Sequence, residues 1–194
     1  MVRRRRVVRT SRNIHRFKRI ATLGTVGCNA VGFLSYATAF RINQIPGISE
    51  FTALYDQYRI DKVVFRAIPY TTENATTGTT PPWGLAPVYT VIDLDSAATP
   101  PDTATLREYT SVRTHQALKP VVRVLRPRAL TQIYRSTTST AYALANPRQW
   151  LDLGETDVPH YGIKMAAQLP NVSASNWLAY NLEAIFYFSM RAPK

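Results

Sequence analysis

The sequence is short of several things on which enzymes and secreted scaffolds depend. It contains one cysteine in 194 residues, Cys28, so no intrachain disulfide can form and no cysteine-rich zinc site can be assembled. Cys28, between Gly27 and Asn29, reads as a small filler near the start of a folded domain. No run of 18 apolar residues exists, which excludes a membrane-spanning helix and with it membrane insertion. The basic N-terminus passes into Ser11-Arg12-Asn13-Ile14-His15-Arg16, where a secretory signal would need an apolar stretch. His15, His115 and His160 are the three histidines; they are far apart and stand in no zinc-binding or nucleophile motif. Gly24-Thr25-Val26-Gly27 lacks the Lys-Ser/Thr ending of a phosphate loop. Asp93 with Asp95, and Asp152 with Glu155 and Asp157, are carboxylate groups of a kind that can hold a cation. They fall where strands give way to loops, and there Asp is an ordinary turn former. No cofactor and no metal is called for, no residue reads as catalytic, and enzymatic function is disfavoured.

Acid is also missing from one end of the chain: none precedes Glu50. Of the 24 Lys and Arg, nine lie in the first nineteen positions: Arg3, Arg4, Arg5, Arg6, Arg9, Arg12, Arg16, Lys18 and Arg19. The remaining fifteen face all 12 acids, so a formal charge of +12 divides into a strongly basic arm and a nearly balanced body. Guanidinium groups at this density suit phosphate oxygens. Such an arm binds nucleic acid without reading its sequence, and binding weakens with salt as counterions are released. Phe17 and His15 add surfaces on which bases can stack. A second basic set, Arg113, Lys119, Arg123, Arg126, Arg128 and Arg135, lies in a 43-residue stretch between Glu108 and Asp152 that has no acid. If its strands are neighbours, this set adds a positive surface facing the same polyanion.

Within the arm, Ile14, Phe17 and Ala21 fall at helical spacing after a cap at Thr10 or Ser11, which predicts either a short basic helix or a segment that stays flexible until it meets polyanion. Residues 1–19 join no clear apolar pattern, so the domain is expected to fold without them. From residue 33 the period changes to two. Residues 33–42 alternate Leu34, Tyr36, Thr38, Phe40 and Ile42 with smaller or polar neighbours, the mark of a half-buried strand. Residues 58–68, 88–94, 112–118, 120–125, 129–135 and 150–153 follow as extended candidates, and single helical turns fit at 49–56 and 103–108. The Thr-rich, Pro-ended run 71–82 reads as a long surface loop. Residues 160–168 place Tyr161, Ile163, Met165 and Ala167 on one face. The strongest signal is 177–191, where Leu178, Tyr180, Leu182, Ala184, Phe186, Phe188 and Met190 occupy seven consecutive even positions. About eight short strands with 13 prolines between and around them predict an all-β sandwich. The boundary is placed at residue 33, with an arm over 1–32 and the sandwich over 33–194.

Several landmarks in order resemble the capsid proteins of circovirus-like, circular single-stranded DNA viruses. After the Arg-rich arm come Tyr58-Arg59-Ile60-Asp61-Lys62-Val63, ending at Pro69, then Ser111-Val112-Arg113-Thr114-His115 and Arg126-Pro127-Arg128. Arg148-Gln149-Trp150-Leu151 and Val158-Pro159-His160-Tyr161-Gly162-Ile163 precede the aromatic final strand. The resemblance spans about residues 33–191. It implies a single jelly roll of two four-stranded antiparallel sheets, about sixty copies of which close into a T=1 icosahedral shell. The arm would then bind a single-stranded DNA genome, with Arg113, Arg123, Arg126, Arg128 and Arg135 as further contacts. The implied partners are other copies of the chain, the genome, nuclear import receptors and a host attachment factor; the implied locations are the virion and, during assembly, the host nucleus. Phosphate neutralisation does not distinguish DNA from RNA. On residue chemistry alone, a satellite RNA virus coat protein or a cellular basic β-sandwich nucleic-acid-binding module therefore fits too.

Overall fold

Leu178, Tyr180, Leu182, Ala184, Phe186, Phe188 and Met190 are each at most 3% exposed in the computed structural model, as their period of two demands. The structure describes residues 14–70, 86–135, 140–169 and 178–193. In chain order the strands are β1 (His15–Gly27), β2 (Phe33–Phe40), β3 (Tyr55–Pro69), β4 (Val88–Val91), β5 (Arg113–His115), β6 (Val121–Leu125), β7 (Leu130–Arg135), β8 (Thr140–Leu144), β9 (Leu151–Asp152), β10 (His160–Gln168) and β11 (Ala179–Pro193). Two short helices are present, α1 (Ile48–Leu54) and α2 (Thr103–Arg107). The Asp102 side chain caps α2, accepting from the Thr105 amide at 2.7 Å; a short acidic N-cap satisfies one of the amides a helix start leaves unpaired.

One sheet has the order β1-β11-β3-β6, with β9 also paired to β3; the other runs β2-β10-β4-β5. All of these pairings are antiparallel. Successive strands β1 to β4 alternate between the sheets, and β10 and β11 alternate again, so the chain winds as a jelly roll. Strands β7 and β8 form a separate hairpin closed at its base by the Ala145 amide donating to the Ala129 carbonyl at 2.9 Å, and tied to β10 where the Tyr161 amide donates to the Arg128 carbonyl at 2.8 Å.

The inner faces meet in one core. Phe186 of β11 packs edge-on against Phe40 of β2, 5.9 Å between centroids, and Tyr36 stacks on Phe65 at 6.1 Å. At one end Phe51 of α1 touches Phe17 at 4.9 Å and Phe188 at 5.6 Å, edge-to-face contacts that add to area burial. Cys28 is a buried free thiol whose amide donates to the Leu178 carbonyl at 3.0 Å. Gly162 lies at a register shift in β10; a Cβ there would sit 2.2 Å from Leu125 Cδ1, so the Leu125 side chain occupies the space a side chain at 162 would need.

The N-terminal segment departs from expectation. The short helix expected over 11–20 is not formed within the described residues; 15–27 are instead the edge strand β1, paired with β11 along its whole length. Its register shifts between Thr22 and Gly24, and Gly24 takes φ +96°, a left-handed conformation that glycine adopts without steric cost. The first strand of the jelly roll therefore lies inside the stretch assigned to the arm, and the boundary expected at residue 33 falls after β1. Residues 15–19 are consequently part of the folded sheet, contrary to the expectation that 1–19 stand outside it. Strand β8 was not foreseen. The 71–82 loop lies outside the described residues.

Candidate nucleic-acid interface

The period of two that buries the even residues of β11 turns its odd residues outward. Across the solvent face of this sheet the register aligns Lys18, Tyr187 and Lys62 in one row. The next row is Ile20, Ile185, Val64 and Val124, and the one after it Thr22, Glu183, Arg66 and Val122. Arg66 Nη1 and Glu183 Oε2 pair at 3.5 Å. The face thus grades from cationic through an apolar band to a mixed, charge-paired row.

At the cationic end lies an open cleft of about 430 Å³, lined by Arg16, Phe17, Arg59, Asp61, Lys62, Arg126, Pro147, Arg148, Tyr187 and Phe188. Five cations meet one carboxylate there. Asp61 is already engaged, by Arg59 Nε at 2.6 Å and by the Ser189 hydroxyl at 2.5 Å. Among the described residues no carboxylate pairs with Arg16, Lys62, Arg126 or Arg148. Aromatic rings hold the cations in place: Lys62 Nζ stands 4.0 Å from the Tyr187 centroid with Lys18 Nζ at 5.9 Å. Trp150 receives the Arg59 guanidinium at 4.7 Å and that of Arg191 at 4.3 Å. These distances are within the range of cation–π attraction. Unpaired cations beside aromatic rings in an open groove are what single-stranded nucleic acid requires.

The basic residues singled out from sequence separate into four groups. Arg3, Arg4, Arg5, Arg6, Arg9 and Arg12 lie outside the described residues. Arg16, Lys18 and Arg19 are exposed on β1, and Arg16 joins Arg126 in the cleft. Arg113 and Arg135 are exposed elsewhere, on β5 and on the hairpin, and Arg128 is half-buried, its backbone bridged to Tyr161. Arg123 is corrected: it is 3% exposed and points into the protein rather than at a polyanion. Its guanidinium donates to Thr90 Oγ1 at 3.0 Å and to the Ser111 carbonyl at 2.9 Å. A buried cation is retained only where such acceptors satisfy it. Burial and the nearby Arg113 charge lower the Arg123 pKa. Burial, then Arg123 and Arg113, likewise lower that of His115, whose Nε2 lies 2.9 Å from Thr90 Oγ1. His160 is buried, which lowers its pKa, and its Nδ1 is 3.0 Å from the Val158 carbonyl.

Arg59, Lys62, Arg148 and Tyr187 were not singled out as contacts. In sequence Arg59 and Lys62 are interleaved with Asp56 and Asp61, which hides them in a charge count; the strand register alone brings them together with Arg16 and Arg126.

The carboxylates are also accounted for individually. Asp93 is buried and pairs with Lys164 Nζ at 2.6 Å, while the Tyr109 hydroxyl donates to it at 3.2 Å. Burial alone would raise the Asp93 pKa; hydrogen bonds from Asp95 and Lys164, with the Lys164 charge, outweigh it and bring the value down to about 2. The hydrogen bond between them, burial and the Asp93 charge raise Asp95. Asp152 accepts from the Gly154 amide at 2.8 Å, closing the turn expected of it.

The profile of the circovirus capsid protein family matches residues 1–194. The chain belongs to that family. It is thus a structural protein of a virion rather than an enzyme. The 60-mer crystal structure of the BFDV capsid protein superposes on this capsid protein with a TM-score of 0.72 at 18% identity, covering 94% of this chain and 95% of that one. The decameric BFDV structure gives 0.62 at 15% identity, covering 92% and 100%. The Cucumber Necrosis Virus crystal structure gives 0.57 at 13% identity, covering 93% of this chain and 57% of that one. At these identities the likeness establishes the jelly-roll fold. No curated protein sequence matched the chain.

Proposed function

We propose that this capsid protein assembles as about sixty copies into a closed T=1 icosahedral shell and packages circular single-stranded DNA. The reading rests on family membership together with one geometric observation: β1 continues from the Arg-rich arm, and its exposed Arg16 and Lys18 lie on the same sheet face as the cationic cleft. The arm and that face then form one positive surface, turned inward toward the genome. Arg3 to Arg12 supply the bulk of the charge and Arg16 and Lys18 extend it onto the sheet, while Arg19 adds its charge at the other side of the edge strand, over Phe51. The four consecutive arginines Arg3–Arg6 also act as a nuclear-import signal, so that Arg3–Arg6→Ala keeps a fluorescent fusion out of the nucleus.

Light scattering and electron microscopy of the purified full chain test the shell, and the 260/280 nm ratio before and after DNase or RNase tests the cargo. Uniform particles of about sixty subunits that carry nuclease-protected nucleic acid are expected. A monomer or dimer that persists across salt and pH would overturn the assembly, and particles empty of nucleic acid would overturn the packaging.

A further inference from the structure

We propose that the cleft at the cationic end of the β1-β11-β3-β6 sheet is a binding site for a single-stranded nucleic-acid segment, separate from the arm, with phosphates on Arg16, Lys62, Arg126 and Arg148 and a base on Tyr187. The inference rests on the packaging reading above and deepens it. An arm neutralises charge wherever it lies; this site has fixed geometry, because its cations come from the body of the sheet and from the segment just before β9.

The first observation is the unpaired charge. Besides Arg59, four cations share a volume of about 430 Å³; among the described lining residues the one carboxylate, Asp61, is taken by Arg59 and Ser189. Like charges so close repel one another, and an entering anion relieves that repulsion. The second is the ring. Tyr187 stands between Lys18 and Lys62 by register, and the nearer ammonium, that of Lys62, covers its face at 4.0 Å. An incoming base takes that face, and the displaced ammonium is left beside the phosphate that follows. The third is the apolar band of Ile20, Ile185, Val64 and Val124, one row further along the same face; Ile20 and Val124 are more than half exposed. The unpaired bases of a single strand can rest against such a surface, whereas a duplex keeps its bases stacked inside. The cleft therefore takes single-stranded rather than duplex nucleic acid.

The test compares full-length protein with Arg126→Gln/Arg148→Gln, with Tyr187→Ser, and with Arg41→Gln, which removes an exposed cation just past β2 instead. Binding of a fluorescent 20-nucleotide single strand is titrated at several salt concentrations, under dissociating conditions in which each variant is shown to be folded by circular dichroism. The double variant is expected to bind at least tenfold more weakly. Its log K against log salt is expected to be shallower by about 1.4, two phosphate contacts at about 0.7 each, while Arg41→Gln keeps the original slope. Tyr187→Ser should lose the ultraviolet cross-link from a bromouracil-substituted strand to the peptide containing residue 187, with the salt slope unchanged. A double variant indistinguishable from Arg41→Gln, with wild-type protein binding the strand, overturns the cleft and leaves packaging by the arm standing. Failure of wild-type protein to bind the strand at all overturns both. Equal affinity for a 20-base-pair duplex overturns the single-strand assignment.

Discussion

Two buried charges with opposite solutions show how much a single residue decides in this protein. Arg123 is held by neutral oxygens, whereas Lys164 is held by Asp93 at 2.6 Å in a setting where both side chains are less than a tenth exposed. Lys164→Met leaves the Asp93 carboxylate buried without its partner, so it is expected to destabilise the fold by about 3–5 kcal/mol. Asp93→Leu/Lys164→Met should recover most of that loss, because it removes the charges together; chemical denaturation of the dissociated subunits reads both values. The pair also sets acid sensitivity. Since the folded Asp93 pKa is lowered to about 2, its carboxylate contributes roughly 2 kcal/mol in full above its ordinary value near 4. That contribution is lost as pH falls from about 4 to about 2, a step absent in the double variant. His115 and His160 work at milder pH with the same sign: both pKa values are lowered by burial, so the unfolded chain takes up their protons first and stability falls as pH drops through the ordinary histidine range.

Strand β1 is the element whose sequence and structure diverge most, and the reason is arithmetic. Phe17 and Ala21 are four residues apart, a spacing that satisfies a helix of period 3.6 and a strand of period two alike. Ile14, which supported the helical reading, lies exposed just before the strand. An edge strand rich in arginine and lysine is a recognised way of keeping sheets from pairing with one another, and here it also masks the alternation. The consequence is testable by truncation. Removing residues 1–13 leaves β1 whole, and the dissociated subunit is expected to keep its unfolding midpoint. Removing 1–19 strips Phe17 from its contacts with Phe51 and Phe188 and exposes one edge of β11. Phe17 is only half-buried, so a loss of about 2–3 kcal/mol is expected, at the low end for a truncated phenylalanine. Equal midpoints for the two truncations would show that residues 15–19 of β1 contribute nothing to the fold. By contrast β11 was fully legible, since seven apolar residues at even positions admit only one strand face. The helical turn at 103–108 was legible too, while β8 was not: every residue of that strand is exposed or half-buried, and a ribbon with both sides in water leaves no hydrophobic alternation to read. The cleft escaped detection for a further reason, that its cations come from β1, β3, the end of β6 and the segment before β9, and only pairing brings them together.

For the whole molecule the governing quantity is charge. The chain carries a formal +12, and a closed shell of such chains is opposed by its own repulsion unless an interior polyanion offsets it. If cargo is set by neutralisation, the number of packaged phosphates per shell should follow the net charge of the chain rather than the volume enclosed. Deleting residues 1–13 removes six arginines and no acid, which halves the formal charge while leaving every described strand in place. Shells of the truncated chain are therefore expected to form and to hold about half the nucleotides per subunit, measured by absorbance at 260 nm against protein mass. The nucleotides that remain should be lost at lower salt than those of the full chain, because fewer counterions are displaced per chain. A full complement of nucleotides in truncated shells would mean that volume, not charge, limits packaging, and that the arm serves some purpose other than neutralisation.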